Sequence, residues 1–354
     1  MRIGLVTDLH FGARADSLVF ADHFMEFFSK QFFPYLKKHN IKTVIHLGDL
    51  VDRRKYINVR ILSMMREHFI DPLNELGINV HTLLGNHDIF YKNTSEINSI
   101  QEIVGGYENW TVHSDPTVVN FDGISIAMLP WINKTNEDKS LEFLQKTRAQ
   151  ILMGHLELEG FEYFKGIQFV GGMEQKRFRK FDIVCSGHFH HKHDDGHIFY
   201  LGSPYEMTFA DYNDPKGFHT FDTETRKLEF IENPKQIFHK IYYNDKEHDY
   251  SNVDVAKYNG CYVKVVVVKK TSPYMFDKLI DALEDADAAN VSISEDMTDF
   301  EVAQDEALEI SEDTITILQG CVDDIDISVN KEKLKGLLYQ LYNEAINQEI
   351  ADDV

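Results

Sequence analysis

The chain has 354 residues, of which 43% are apolar and 27% charged, a composition typical of a soluble globular protein with one large or two ordinary domains. Its three cysteines, Cys185, Cys261 and Cys321, lack the paired spacing of a disulfide framework or a cysteine zinc site, and no apolar run approaches the ~18 residues of a membrane span. We therefore expect a protein of the reducing cytoplasm, without a signal peptide and without contact to a membrane.

The net charge of −22 is spread unevenly along the chain. Residues 271–354 contain 22 acidic and 4 basic residues, whereas residues 1–270 contain 36 acidic and 32 basic residues. This asymmetry predicts two regions. Because acidic surfaces repel nucleic acid, any DNA binding has to come from local patches and bound metal in the first region. The acidic region is interpreted either as a solvated face with loops or as a docking surface for a basic partner.

Apolar runs rich in β-branched residues alternate with segments of helical period in the first region. The predicted strands are 2–8, 42–49, 78–88, 150–155, 182–188 and 197–204, with short strands between 110 and 131 and a hairpin at 216–231, and the predicted helices are 16–40, 58–76, 95–104 and 136–146. Such alternation indicates crossover connections and largely parallel pairing. We expect an α/β fold of two packed sheets with helices outside them.

A second, smaller unit is predicted to begin near residue 233, with a strand at 260–270, a helix at 273–287 and a strand at 290–296. Residues 301–330 are interpreted as an acidic linker. The last segment, 331–354, is predicted to be an amphipathic helix with one apolar stripe. The residues of this stripe are Leu334, Leu337, Leu338, Leu341 and Tyr342. The predicted domains are therefore 1–232 and 233–300, followed by the linker and the helix.

Five predicted strands end in residue types that bind metals, in the stretches "TDLH", "LGDLVD", "LGNHD", "MGHLE" and "SGHFH". Residues i and i+2 of an extended chain point the same way, and the carboxyl ends of parallel strands are where ligands collect. We therefore expect the side chains to converge on one pocket. The predicted metal ligands are Asp8, His10, Asp49, Asn86, His155, His188 and His190.

Seven ligands suffice for two cations if Asp49 lies between them. The first cation is assigned to Asp8, His10, Asp49 and His190, and the second to Asp49, Asn86, His155 and His188. Nitrogen and oxygen ligands without thiolate suit Mn²⁺, Fe or Zn²⁺ better than Mg²⁺, which prefers oxygen alone. Two such cations polarise a phosphoryl group and lower the pKa of a bound water.

Two further residues of these motifs are predicted to be catalytic. His87 stands next to a ligand and is surplus to ligation, so that as an imidazolium it would stabilise the transition state or protonate the leaving oxygen. Asp52 is assigned either to orient His87 or to cap a helix. Of the remaining histidines in the fifth motif, His191 is expected to point away from the pocket. His193 and His197 are interpreted as ordinary loop or strand residues.

Together the five motifs resemble the signature of the calcineurin-like metallophosphoesterases over roughly residues 1–222. The segments "GHLELEGFEYFKG" and "YLGSPYEMTFADYNDPKGFHTFDTET" also resemble the SbcD and meiotic-recombination nucleases, especially their tailed-phage members. The resemblance implies a four-layer sandwich of two mixed β-sheets flanked by helices, followed by a small α/β capping domain that positions DNA. It also implies a Mn²⁺-dependent DNA nuclease, a 3′→5′ exonuclease on duplex ends and an endonuclease on single strands.

The resemblance implies partners as well. They are an ABC-type coiled-coil ATPase, bound by the C-terminal apolar stripe, and a second copy of the chain. Family members dimerise through helices near 61–70, so Met64, Met65 and Phe69 are candidate interface residues, with core packing as the alternative. A phage member of the family would act in the cytoplasm of its bacterial host.

Local features supply the candidate DNA contacts. Arg53, Arg54 and Lys55 follow the second motif and would hold backbone phosphates, unless they are only a solvated helix start. Tyr91 and Lys92 would stack a base and touch phosphate, with core packing of Tyr91 as the alternative. Two other functions stay open from the sequence: a metallophosphatase or nucleotide phosphodiesterase of the same fold, and a non-catalytic scaffold that binds DNA ends.

Overall fold

A computed structural model describes residues 1–169, 171–250 and 253–295 of the chain. The strands are β1 (Arg2–Val6), β2 (Thr43–His46), β3 (Asn79–Leu83), β4 (Trp110–His113), β5 (Thr117–Phe121), β6 (Ile124–Leu129), β7 (Ile151–His155), β8 (Glu162–Phe164), β9 (Ile167–Gln168), β10 (Ile183–Gly187), β11 (His193–Asp194), β12 (Ile198–Tyr200), β13 (Gly217–Asp222), β14 (Leu228–Glu232), β15 (Phe238–Asn244), β16 (Tyr262–Lys269) and β17 (Asn290–Ser294). The α-helices of five or more residues are α1 (Leu18–Phe27), α2 (Phe33–Lys38), α3 (Val59–Met65), α4 (Asp71–Glu75), α5 (Ser99–Val104), α6 (Glu137–Lys146) and α7 (Pro273–Asp285).

Two six-stranded mixed sheets form the first region, as the sequence predicted. Their strand orders are β14-β13-β1-β2-β3-β4 and β11-β12-β10-β7-β6-β5. In the first sheet β1 to β4 pair in parallel and β13 runs antiparallel to β1. In the second sheet β6, β7, β10 and β12 pair in parallel. The carboxyl ends of the parallel strands of each sheet therefore lie at one edge of that sheet.

The layers follow from how side chains alternate along the strands. In β1, Ile3 and Leu5 enter a core between the two sheets, where they meet Met128 and Met153 of the second sheet. Val6 instead joins a core under the helices of the first sheet. A third core lies between the second sheet and α6. Helix, sheet, sheet and helix are thus the four layers that the sequence analysis expected.

Two long predicted helices are each interrupted by a π-helical turn. Residues Phe28–Phe32 connect α1 to α2, and Arg66–Ile70 connect α3 to α4. Each π turn ends two residues before a proline, Pro34 or Pro72. Because proline has no N–H and its ring clashes with the carbonyl four residues earlier, a local widening lets the helix continue past it.

The interface prediction for Met65 and Phe69 is wrong, because both side chains are fully buried. The centroid of the Phe69 ring lies 4.6 Å from that of Phe28 and 6.1 Å from that of Trp110, inside the core beneath the helices. Met64 is half-buried and packs against the same core. Helical spacing alone could not separate a buried face from a partner face here, because the helix is apolar on more than one side.

The unit predicted to begin near residue 233 is a three-stranded parallel sheet, β15-β16-β17, with α7 on one face. Strand β15 was not predicted from the sequence. The start of β15 docks on the first region, because the Glu206 carboxylate accepts the main-chain N–H groups of Ile237, just before the strand, and of Phe238, its first residue, at 2.7 and 2.9 Å. The Phe238 ring lies 4.7 Å from Phe209. The boundary near 233 stays a prediction.

The predicted linker 301–330 and helix 331–354, including the five residues of the apolar stripe, lie outside the described residues, as does Cys321. Cys185 and Cys261 are buried free thiols. Within the described ranges, no helix has the length and apolar character needed to cross a membrane.

Candidate metal centre

The structure brings the seven predicted ligands together where the ends of the two sheets meet. Asp8 and His10 follow β1, Asp49 follows β2 and Asn86 follows β3. From the second sheet, His155 ends β7, and His188 and His190 follow β10. Except for the half-buried His188, all of these side chains are buried.

The first cluster consists of Asp8, His10 and His190, whose ligand atoms lie within 4.8 Å of one another. The Nε2 atoms of His10 and His190 are 3.0 Å apart, and His190 Nε2 is 4.0 Å from an Asp8 carboxylate oxygen. Asp49 Oδ2 lies 3.6 Å from His10 Nε2. These are the four residues that the sequence analysis assigned to the first cation.

The second cluster shares Asp49 with the first. Asn86 Oδ1 lies 2.9 Å from His155 Nε2 and 3.1 Å from His188 Nδ1. Asp49 Oδ2 is 3.4 Å from His155 Nε2. Asp49 thus stands between the two clusters, where the sequence analysis placed the bridging ligand.

The donor chemistry of the second cluster fits a cation. His155 Nδ1 donates to the carbonyl of Leu47 at 2.8 Å, which leaves Nε2 facing the oxygens of Asn86 and Asp49. Those oxygens are acceptors, so Nε2 needs a positive charge beside it or on it. Burial lowers the pKa of His155, but the adjacent Asp49 carboxylate outweighs burial and raises it to about 9. A divalent cation would supply that positive charge instead of a proton, and the hydrogen bond to the Leu47 carbonyl would hold the imidazole in place.

Strained backbone supports the assignment of these residues to a functional site. Asp8, His10, Asp49 and His188 have φ angles of 53°, 42°, 57° and 91°, in the left-handed region that residues other than glycine seldom adopt. Such strain persists only where the surrounding structure enforces it, and it concentrates at functional sites. Hydrogen bonds from Asp8 N to the Gly48 carbonyl and from His10 N to the Asp49 carbonyl hold the strained loops in place.

Asp88 holds two of the ligand loops, a role that the sequence analysis did not assign. Its buried carboxylate accepts the main-chain N–H groups of Asp49, Leu50 and Gly85 at 2.8, 2.9 and 2.8 Å. Burial and the charge of Asp49 raise the pKa of Asp88 to about 7. The indication in the sequence is that Asp88 directly follows Asn86 and His87 in the "GNHD" motif.

The contact between His87 and Asp52 differs from the predicted one, because it involves the main chain of Asp52 and not its carboxylate. His87 Nδ1 donates to the main-chain carbonyl of Asp52 at 2.6 Å, while the Asp52 carboxylate lies 3.5 Å from His10 Nδ1. Asp52 does not cap a helix, because α3 begins after the capping side chain of Asn58. Burial lowers the pKa of His87, which favours the neutral imidazole over the predicted imidazolium. Its ring remains 4.8 Å from that of His10, at the edge of the first cluster.

The candidate DNA contacts follow the ligand motifs of β2 and β3, but both arginines among them bind protein groups. Arg53 forms an ion pair with Asp16 at 2.9 Å, and Arg54 Nε donates to the Asn86 carbonyl at 2.7 Å. Lys55 and Lys92 are exposed, and Tyr91 is 50% exposed. The alternative of core packing for Tyr91 is therefore wrong.

Behind His190 lies a buried ionic network that sequence reasoning missed. Lys216 Nζ donates to the His190 carbonyl at 2.7 Å and pairs with Asp211 at 2.6 Å and Asp214 at 2.9 Å. His191 Nδ1 lies 2.8 Å from Asp214, so His191 turns away from the centre as predicted. Its carboxylates and lysine lie in the "FADYNDPKGF" stretch, which is part of a segment that resembles the SbcD nucleases.

His193 and His197 make structural contacts. His193 Nε2 accepts the main-chain N–H of Glu162 at 2.9 Å, and His197 Nε2 lies 2.7 Å from the carbonyl of Phe181. These contacts fit their interpretation as ordinary loop and strand residues.

Two mixed sheets that gather carboxylate, amide and imidazole groups at one edge define the metallophosphoesterase architecture. The family model for the calcineurin-like phosphoesterases matches residues 1–192. The chain belongs to this family and is therefore an enzyme of phosphoester hydrolysis.

Three relatives with curated names indicate which members of this family the chain is similar to. Exonuclease subunit 1 of Enterobacteria phage T4 is 35% identical over 273 residues, which are 76% of this chain and 77% of that protein. The SbcD component of the SbcCD nuclease of Staphylococcus epidermidis is 27% identical over 225 residues, 56% of this chain and 60% of that protein. The component of the same name from Staphylococcus saprophyticus is 24% identical, over 56% of this chain and 59% of that protein. The chain thus spans about three fifths of these SbcCD components.

Proposed function

We propose that the chain is a Mn²⁺-dependent DNA nuclease, acting as a 3′→5′ exonuclease on duplex ends and as an endonuclease on single strands. The observation that carries the proposal is the convergence of seven nitrogen and oxygen side chains, from five strand ends, on two clusters that share Asp49. The names of the relatives, an exonuclease subunit and two nuclease subunits, favour DNA over other phosphodiesters.

Within this proposal, Asp8, His10 and His190 would hold one cation and Asn86, His155 and His188 the other, with Asp49 shared between them. Two divalent cations there would supply charge that polarises the phosphoryl group and lowers the pKa of a water molecule. Mn²⁺ is preferred on ligand chemistry, with Fe, Zn²⁺ or Mg²⁺ as the alternatives.

The other residues of the centre would hold the ligands in position or transfer a proton. His87, fixed through Nδ1 by the Asp52 carbonyl, directs Nε2 away from that bond and toward the side of the first cluster. There it would hydrogen-bond a phosphoryl oxygen or pass a proton to the leaving oxygen. The Asp52 carboxylate orients His10, and Asp88 holds the loop of Asp49.

We extend the proposal to partners and place of action. An ABC-type coiled-coil ATPase would bind the apolar stripe predicted in residues 331–354, and the chain would pair with a second copy. Because a relative is a phage protein, the host cytoplasm is the expected compartment. The SbcCD names of two relatives refer to a complex of which each relative is one component.

The test of the proposed function is cleavage of end-labelled duplex DNA and circular single-stranded DNA, with Mn²⁺ and with chelator. We expect Mn²⁺-dependent cleavage of both, and a loss of at least 100-fold in Asp8→Ala and His188→Ala, because each removes a ligand. Exposed His248, in the second unit, supplies the control variant His248→Ala.

Circular dichroism of each variant confirms folding. Full activity in either ligand variant would overturn the assignment of the centre. Turnover of a small phosphomonoester with inert DNA would favour the phosphatase alternative, and no turnover of either, with fewer than one Mn²⁺ bound per chain, would favour the scaffold.

A further inference from the structure

A cleft of about 570 Å³ opens beside the second cluster, and none of the roles above uses it. It shares His155 with the metal centre and continues outward between the segment after β6 and the segment after β7. Its lining includes the apolar side chains of Leu141, Leu156, Leu158 and Met173, of which Leu156 and Leu158 are buried. The volume is within the range of about 300–1,000 Å³ that small organic ligands occupy, and is too small for a duplex.

Trp131 forms the wall of the cleft next to the metal centre. Its ring centroid lies 5.0 Å from that of His188 and 6.0 Å from that of His155. The main chain on both sides is fixed, since Trp131 N donates to the Leu84 carbonyl at 2.8 Å and the Trp131 carbonyl accepts from Asn136 Nδ2 at 3.0 Å. The half-buried indole is thus a rigid aromatic surface beside two metal ligands.

The mixed charges around the cleft suit a neutral group better than a second phosphate. Lys134 and Arg177 stand at the rim together with Glu137, Glu157 and Glu174, so neither sign dominates. Glu157 lies deepest toward the centre, with Oε1 3.4 Å from His188 Nε2. Carboxylates repel phosphate but accept the N–H groups of a heteroaromatic base.

We propose that this cleft binds one nucleoside of the strand being cut, with the base on the Trp131 ring and the adjoining phosphate at the metal centre. The inference rests on the proposed function and specifies how the substrate lies in the site. Stacking on an aromatic side chain accepts any base, so the cleft gives affinity for nucleosides without sequence preference. Trp131 would act as a binding residue rather than in the chemical step.

Tryptophan fluorescence tests the binding without any turnover. The chain has two tryptophans. Trp110 is buried and its Nε1 has no hydrogen-bond partner among the described residues. The variant Trp110→Phe therefore breaks no hydrogen bond of the described residues, and it leaves Trp131 as the only tryptophan whose fluorescence is measured. With Mg²⁺ present, we expect thymidine 5′-monophosphate to quench Trp131 fluorescence saturably. Methyl phosphate, which has no base, should cause less than about a fifth of that change. Equal changes with both compounds would overturn the proposal.

Kinetics provide the second readout. The substrates are thymidine 5′-(p-nitrophenyl phosphate) and methyl p-nitrophenyl phosphate, which carry the same leaving group with and without a nucleoside. We expect Trp131→Ala to lower the preference in kcat/KM for the nucleoside ester about tenfold, mainly through KM, since stacking is worth ~1–3 kcal/mol per base. Trp131→Phe keeps an aromatic face and should retain the preference within about threefold.

The outcomes separate the two proposals. An equal loss on both esters in Trp131→Ala would mean that the residue only supports the centre, and the cleft assignment would fail. If the wild-type protein cut neither ester nor DNA, the proposed function would fail while the fluorescence titration still decided whether a nucleotide binds.

Discussion

Lys216 connects a buried pair of carboxylates to the main chain of a predicted metal ligand. The lysine is 3% exposed and makes its three contacts with Asp211, Asp214 and the His190 carbonyl. Burial opposes its charge, but the two carboxylates outweigh burial and raise the pKa of Lys216. A buried charge is tolerated only when it is paired in this way. The sequence could not reveal the network, because its members have ordinary loop composition.

Removing the lysine should leave two carboxylates buried without a cation. We expect Lys216→Met to lower the free energy of unfolding by about 3–5 kcal/mol, measured by urea denaturation. The triple variant Lys216→Met, Asp211→Asn, Asp214→Asn removes the unpaired charges and should recover part of the loss. A decrease below about 1 kcal/mol in the single variant would contradict this view of the network.

His23 supplies a pH-dependent contribution to stability at a distance from the proposed ligands. It lies on α1 between Phe24 and Tyr205, and neither ring nitrogen has a hydrogen-bond partner in the described part of the chain. Burial, with a smaller effect of Lys235, lowers the pKa of His23 to about 4. The unfolded chain takes up the proton near pH 6.5, so stability is lost as the pH falls from about 6.5 to 4.

Replacing His23 with leucine should remove that loss. Relative to the wild type, we expect His23→Leu to gain about 2 kcal/mol more stability at pH 5 than at pH 7, measured by urea denaturation at both values. The exposed His248→Leu serves as the control and should show no such difference. A His23→Leu advantage that does not change between the two pH values would refute the assignment.

At the scale of elements, close approach of the strand ends determines where the ligands meet. A Cβ at Gly85 would lie 2.1 Å from Asp49 Oδ1, and a Cβ at Gly187 would lie 2.0 Å from Thr7 Oγ1. A side chain at Gly85 would separate the loops that follow β2 and β3, and one at Gly187 would separate the end of β10 from the loop that follows β1. The glycines before the ligand motifs are visible in the sequence, but only the structure shows which neighbouring atoms occupy the space of a missing side chain.

Gly85 therefore offers a test of loop spacing in which none of the ligand residues is itself substituted. We expect Gly85→Ala to weaken Mn²⁺ binding at least tenfold, measured by isothermal titration calorimetry, because Asp49 has to move. Gly106→Ala is the matched control, since a Cβ there meets no atom of the described residues within 4 Å. Unchanged affinity in Gly85→Ala would show that the loops tolerate wider spacing than the structure indicates.

Over the whole molecule, the sequence predicted the two-sheet sandwich because parallel strands buried on both faces are continuous apolar runs. The seven ligands were predictable because each stands at or just after the end of such a run. Strand β15 was missed because its lysine, histidine and tyrosines interrupt the apolar pattern, and its pairing with β16 depends on contacts far along the chain. The roles of Asp88, Lys216 and Trp131 arise from tertiary contacts that periodicity does not encode.

We propose that separate loops bring seven side chains around two cations. Equilibrium dialysis of the purified chain against saturating Mn²⁺, followed by metal analysis, tests it most directly. We predict two Mn²⁺ per wild-type chain and a clear decrease in Asp49→Ala, which removes the shared ligand. Fewer than one Mn²⁺ per wild-type chain, or two in the variant with unchanged affinity, would contradict the account.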